Sequence, residues 1–194
     1  MQIHEKIIEK NGLIFIKLTP NKFNLTFDVN NNNILLPSVI NFKLIQLINT
    51  LNPNVFENVA SIAENENEGE NEKEDERKIM HFLLKDLFSD LGLPQYYLAL
   101  NINKNNVDTN KIIFNCESIK TGIKLDFYPE DVELMPIQNI DICCTIVNNH
   151  SVKINCDIYL IDKHNIPSFS EKMIGNIIYN IFNRLKQFIE KVSF

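Results

Sequence analysis

The chain carries four cysteines, Cys116, Cys143, Cys144 and Cys156, and four histidines, His4, His81, His150 and His164. These are the side chains best able to hold a soft metal ion or to act as a nucleophile and its base. Cys143, Cys144, His150 and Cys156 lie close together, as zinc ligands would. Their spacing argues against a shared ion, because successive residues of a strand point to opposite faces and no C-x-x-C pair is present. Cys143 and Cys144 could meet one centre only across a bulge or turn. Nothing local marks a thiol of lowered pKa, so all four cysteines read as free core thiols, and no metal or cofactor is expected.

Other chemistries fail on the same kind of test. A phosphate loop needs clustered glycines whose N–H groups close on the anion, but Gly12, Gly69, Gly92, Gly122 and Gly175 are scattered. His4-Glu5 lacks the second histidine of a metalloprotease helix, and no G-x-S-x-G occurs. Asp126, Glu130, Asp131 and Glu133 gather around Pro129 as an exposed acidic turn would, without the burial that tunes a catalytic pair. A non-enzymatic protein is the expectation.

The most conspicuous charge feature is the run Glu64, Glu66, Glu68, Glu70, Glu72, Glu74, Asp75 and Glu76, offset only by Lys73. It contributes -7 to a net charge of -6, leaving +1 for the rest of the chain. With no apolar face to bury, the stretch from 64 to 76 reads as a flexible acidic insertion able to engage a basic partner. A nearly neutral body bearing an acidic loop does not supply the basic stripe that DNA or RNA requires.

With 194 residues, 44% of them hydrophobic and 23% charged, the chain can bury a sizeable core, and a single domain over residues 1–194 is expected. No apolar run is long enough for a membrane span and no signal peptide is apparent, so a cytoplasmic protein is expected. The cysteines are not needed as staples, and the sequons at Asn24 and Asn149 fall in or beside predicted strands, which also fits that compartment. Asn and Ile occur 29 times each, a bias towards A/T-rich codons of the kind found in large DNA viruses and some protists. It carries no mechanism.

The elements that would position these residues follow from periodicity. Ile3, Ile7 and Ile8 suggest a short helix closed at Asn11-Gly12. Ile14, Ile16 and Leu18, then Phe23, Leu25, Phe27 and Val29, alternate as a hairpin across Thr19–Lys22. Ser38 is placed to cap a helix to about Leu51 that carries Ile40, Leu44, Ile45, Leu47 and Ile48. Asn54 and Glu57 resemble the start of a shorter helix with Phe56, Val59, Ala60 and Ala63. Met80, Leu83, Leu84, Leu87, Phe88 and Leu91 recur at three and four residues, as in a helix stopped by Gly92-Leu93-Pro94.

Beyond that point the period becomes two. Strands are expected over Tyr96–Ile102, Ile112–Cys116 and Ile123–Phe127, with a polar loop at Asn103–Asn110. A further hairpin joins about Ile140–Val147 to Ser151–Ile161. A three-residue loop there pairs Ile146 with Val152, Cys144 with Ile154, Ile142 with Cys156 and Ile140 with Ile158, and keeps the apolar residues on one face. Pro167, Ser168 and Glu171 then signal a long amphipathic helix carrying Ile174, Ile177, Ile178, Ile181, Leu185, Phe188, Ile189 and Val192.

The fold class is therefore α+β: an antiparallel meander sheet of about five to seven strands, packed against a long C-terminal helix and an N-terminal helical group. Two functional readings follow. The first is an intracellular protein-interaction or assembly subunit, using the acidic residues 64–76 on a protein partner or forming a homo-oligomer. The second rests on the order of elements, which is similar to the helix-grip architecture, where a curved sheet wraps a terminal helix. That resemblance implies a binder of an apolar small molecule or lipid, with Phe114, Phe127, Ile142, Ile154 and Phe188 against the ligand.

Overall fold

Asn11 and Gly12 both take positive φ, 53° and 74°, as the central pair of a type I′ hairpin turn must. They join β1 (Glu5–Lys10) to β2 (Leu13–Thr19), which pairs antiparallel with β3 (Lys22–Asn30). The computed structural model describes residues 5–62, 77–87, 89–120, 125, 128–161 and 168–193. After β3 come a single helical turn α1 (Leu36–Val39) and α2 (Phe42–Leu51), then β4 (Phe56–Ile62) and β5 (Arg77–Leu84). A 3-10 turn at Ser89–Leu91 leads to β6 (Tyr96–Asp108), β7 (Lys111–Ser118) and the short β8 (Glu133–Leu134). The chain closes with β9 (Ile137–Asn148), β10 (Ser151–Leu160) and α3 (Ser168–Lys191).

One sheet contains all ten strands. Its path is β1-β2-β3-β10-β9-β7-β6-β5-β4, antiparallel throughout, with β8 lying parallel to the start of β6 where β7 has left the sheet. The α+β expectation holds, with more strands than periodicity revealed. The β9–β10 register is the three-residue-loop one, Ile146 opposite Val152 through Ile140 opposite Ile158.

Three predicted helices are strands. In β5, Met80, Phe82 and Leu84 face one side while His81 and Leu83 face the other, and all five are buried. A strand covered on both faces shows no period of two, and a continuous apolar run then passes for a helical stripe. β4 pairs with β5 as an edge strand, so its Phe56 and Val59 join the sheet instead of a helix. β1 is the other edge; its Asn-Gly end is a hairpin turn and not a helix cap. Among smaller differences, Asn41 caps α2 by accepting from the Lys43 N–H, while Ser38 Oγ donates to the Leu35 carbonyl. β6 runs on through Asn103–Asp108 paired with β7, and the exposure of its last four residues removes any need for apolar alternation there. In β2 the buried residues are Leu13 and Phe15, with Ile14 36% exposed. Of the predicted strand at 123–127 only Leu125 is described, and it belongs to no strand.

The face that carries Phe15 is apolar from edge to edge. Phe82, Leu100, Phe114, Cys144, Ile154, Leu25 and Phe15 occupy it on successive strands, and all belong to one core cluster. α3 lies on this face, packed against β1, β2, β3 and α2. Its close approach is made at Gly175, where an added Cβ would stand 2.8 Å from Ile7 Cγ2 and 3.4 Å from the Phe15 ring. Gly175→Leu should therefore overpack the helix–sheet contact and cost about 1–3 kcal/mol. Thermal melting should show a drop of several degrees; an unchanged midpoint would mean that α3 does not rest on β1 and β2 as described.

Candidate functional site

The inner face of the sheet, beneath α3, combines large apolar area with incomplete closure. Most of its residues are buried, including Phe114 at 3%, Ile154 at 6% and Cys156 at 0% exposure. Ile140 and Ile142 are different. They sit on the same face of β9, in the middle of the sheet between β10 and β7, yet both are only partly buried. Flanking strands cover their edges, so what remains accessible of the two side chains lies on the inner face. Ile178 and Phe182 on α3 are likewise only partly buried. The α2 end of this face is filled: Phe42 meets Phe114 edge-on at 6.0 Å, and Lys78 Nζ lies 5.5 Å from the Phe42 ring centre.

Polar contacts hold α3 on the inner face along its length. Near its N-terminal end the buried Glu171 carboxylate forms an ion pair with Lys17 of β2, so Glu171 acts across the interface instead of solely as the capping residue the sequence suggested. In mid-helix, Asn11 Nδ2 donates to Tyr179 Oη at 2.8 Å. At the C-terminal end Asn31 Nδ2 donates to the carbonyls of Ile189 and Val192, at 2.6 and 2.8 Å, satisfying acceptors that a helix end leaves open. Sequence reading missed Lys17, Asn11 and Asn31; only the tertiary fold brings them to the helix.

Among the described residues the thiols and imidazoles do not converge. Cys144 and Cys156 are buried on the inner face, as is Cys116, while Cys143 points the other way, 4.0 Å from Thr145 Oγ1. His150 lies in the β9–β10 turn with Nδ1 near the carbonyls of Asn31 and Ile34, at 3.1 and 2.9 Å. Among the described residues no group of three or more His, Cys, Asp or Glu is placed to hold a metal. Burial pushes the Cys116 and Cys144 thiols up to about 12 and that of Cys156 upwards as well. His4, His164 and the partner-binding candidates Glu64, Glu66, Glu68, Glu70, Glu72, Glu74, Asp75 and Glu76 lie outside the described residues. So does Phe127. Of the other predicted ligand contacts, Phe114, Ile142 and Ile154 share the inner face, but Phe188 lines an open groove between α2 and α3 with Leu51, Arg184 and Val192.

On the outer face the middle of the sheet is polar and self-paired. Asn24 donates to Asn155 and Asp157, and Asn115 and Asn139 both donate to Asp141. At β5 and β6 this face is buried by apolar neighbours, and there His81, 0% exposed, shares a 2.6 Å hydrogen bond between Nδ1 and Tyr128 Oη. His81 is thus a strand residue on a small second core, not a helix residue beside an apolar stripe.

The same arrangement of elements occurs in solved structures. The human StarD13 lipid transfer and protein localization domain superposes with a TM-score of 0.66 at 8% identity, over 99% of this chain and 91% of that one. Human StAR-related lipid transfer protein 5 gives 0.66 at 8% identity over 97% and 86%. A STAR-related lipid transfer protein from Xanthomonas axonopodis gives 0.67 at 8% identity over 97% and 99%. The chain has the START-like helix-grip fold. No family model matches the sequence, and no curated protein does. The START-like fold corrects the assembly-subunit reading: the extended apolar surface is turned inward under α3, while the broad outer face satisfies its own hydrogen bonds. Among the described residues no helix is long and apolar enough to cross a membrane.

Thiol labelling tests this placement. At pH 8 Cys143, partly exposed on the outer face, should be alkylated first, whereas Cys116, Cys144 and Cys156 should react only once the protein is unfolded. Equal labelling of all four in native protein would contradict the inner-face assignment.

Proposed function

We propose that the chain binds an apolar small molecule or lipid between the inner face of the START-like sheet and α3, and that its work is binding and not catalysis. The observation that carries this reading is the partial burial of Ile140 and Ile142 at the centre of that face. Apolar surface left accessible inside a fold is costly, at about 25 cal/mol per Å², unless a ligand covers it. The inner face is made of aliphatic and aromatic side chains, the lining typical of small-molecule sites. The lipid-transfer proteins that share the START-like fold favour the same ligand class. The buried thiols nearby, held protonated, add apolar surface and no nucleophile.

Purified protein incubated with oleic acid, phosphatidylcholine and cholesterol should retain one of them in native mass spectrometry. Ile142→Trp, which fills the space, should weaken retention roughly tenfold or more while leaving circular dichroism unchanged. If that variant misfolds, Ile140→Phe is the milder filling substitution and should act in the same direction. No retained molecule from the wild type, or retention indifferent to both variants, would overturn the proposal.

A further inference from the structure

His81 poses a problem that the inner-face site does not solve. Its ring is wholly buried on the opposite side of the sheet, and Nε2 has no hydrogen-bond partner among the described residues. Buried polar atoms are nearly always paired, and an orphan costs about 1–3 kcal/mol. The ring is flanked in register by Ala60 of β4 and Ala99 of β6, two small side chains that leave it room. Tyr128 covers it, and the Tyr128 ring packs in turn on Tyr97 with centres 4.7 Å apart.

Tyr128 belongs to the connection that leaves the sheet after β7 and returns as β8. That connection is pinned to β6 at both ends: the Ile119 N–H donates to the Ala99 carbonyl, and the Met135 N–H donates to the Tyr97 carbonyl. Between these pins, the His81–Tyr128 bond is the described side-chain link from the connection to β5. The connection also meets the start of the C-terminal segment, because the Ile161 N–H donates to the Pro136 carbonyl.

We propose that His81 and Tyr128 form a proton-sensitive catch that holds the returning arm of the β7–β9 connection, residues 128–136, against the outer face of the sheet and releases it in acid. A neutral ring can share its Nδ1 with the Tyr128 hydroxyl whichever of the two donates. Protonation places a cation in a buried site and leaves a second N–H unpaired. Compensating charge is lacking in the described surroundings. β4 presents Ala60, β6 presents Tyr97 and Ala99, and the connection presents Tyr128; the charged residues of these elements and of β8, among them Glu57, Arg77, Lys78, Lys104 and Glu133, make no hydrogen bond to the imidazole.

Burial lowers the pKa of His81 from its ordinary 6.5 and raises that of Tyr128. The closed form then binds fewer protons than the released one, in which the imidazole returns towards its ordinary value. The catch is at full strength above about pH 6.5 and weakens as pH falls from there towards the closed-form pKa.

Hydrogen–deuterium exchange of the full chain at pH 7.5 and 5.5, corrected for intrinsic rates, reads the catch. Amides of residues 128–135 should lose protection several-fold at pH 5.5 while those of β9 and β10 do not. In His81→Gln the difference between the two pH values should vanish. Tyr128→Phe keeps the ring and removes the hydroxyl, so it should lower protection already at pH 7.5 and serves as the test should the His81 variant fail to fold. Equal protection at both pH values in the wild type would overturn the proposal. So would an undiminished pH response in His81→Gln, or unchanged protection at pH 7.5 in Tyr128→Phe.

Discussion

A sheet of nine sequentially paired strands is roughly 40 Å across at about 4.8 Å per strand, whereas a single helix is only about 10 Å wide. Its inner face is apolar from β2 to β5, and one helix cannot cover such a face laid flat. The sheet has to curl around α3 or leave a large apolar surface in water. Much of the remaining structure follows from that mismatch. Register shifts in β1, β2, β4, β6 and β9 mark the places where strands bend, and α2 seals the end that α3 does not reach by setting Phe42 against Phe114.

Curling also sets how completely the inner face is covered. Side chains from opposite walls of a curved sheet meet a helix of fixed radius, and the middle strand is the place farthest from both walls. That is where Ile140 and Ile142 keep accessible surface. The helix is held on the inner face by contacts at separate points: the Glu171–Lys17 pair, Tyr179 with Asn11, Gly175 against Ile7, and the last turn on Asn31. Polar fastening along the rim and apolar surface in the middle suit the proposed apolar guest, while burial keeps the inner thiols protonated.

How much of this could be read from the residues depended on burial. Where one face of a strand is wet, alternation gave the answer: β3 with Phe23, Leu25, Phe27 and Val29, and the β9–β10 pairing down to its register. Where both faces are covered, as around His81 and Leu83, the period disappeared and β5 passed for a helix. At the edges the short apolar sets of β1 and β4 were too few to choose between periods, although Asn11-Gly12 was a hairpin signal in plain view. The inner-face contacts Phe114, Ile142 and Ile154 were anticipated because strand parity and register put them together. Lys17, Asn11 and Asn31 were not, since their partners lie more than a hundred residues away in sequence. The preference for an assembly subunit gave weight to an acidic run that is visible in composition, over an interior that only the tertiary arrangement creates.

Whether the guest occupies that interior can be observed with a phospholipid or fatty acid carrying a nitroxide on its acyl chain, added to isotope-labelled protein. Signals of Ile140, Ile142, Phe114, Ile178 and Phe182 should broaden together, while Asn115 and Asp141 on the outer face should be less affected. Broadening centred on the outer face, or none at saturating probe, would contradict a ligand space under α3.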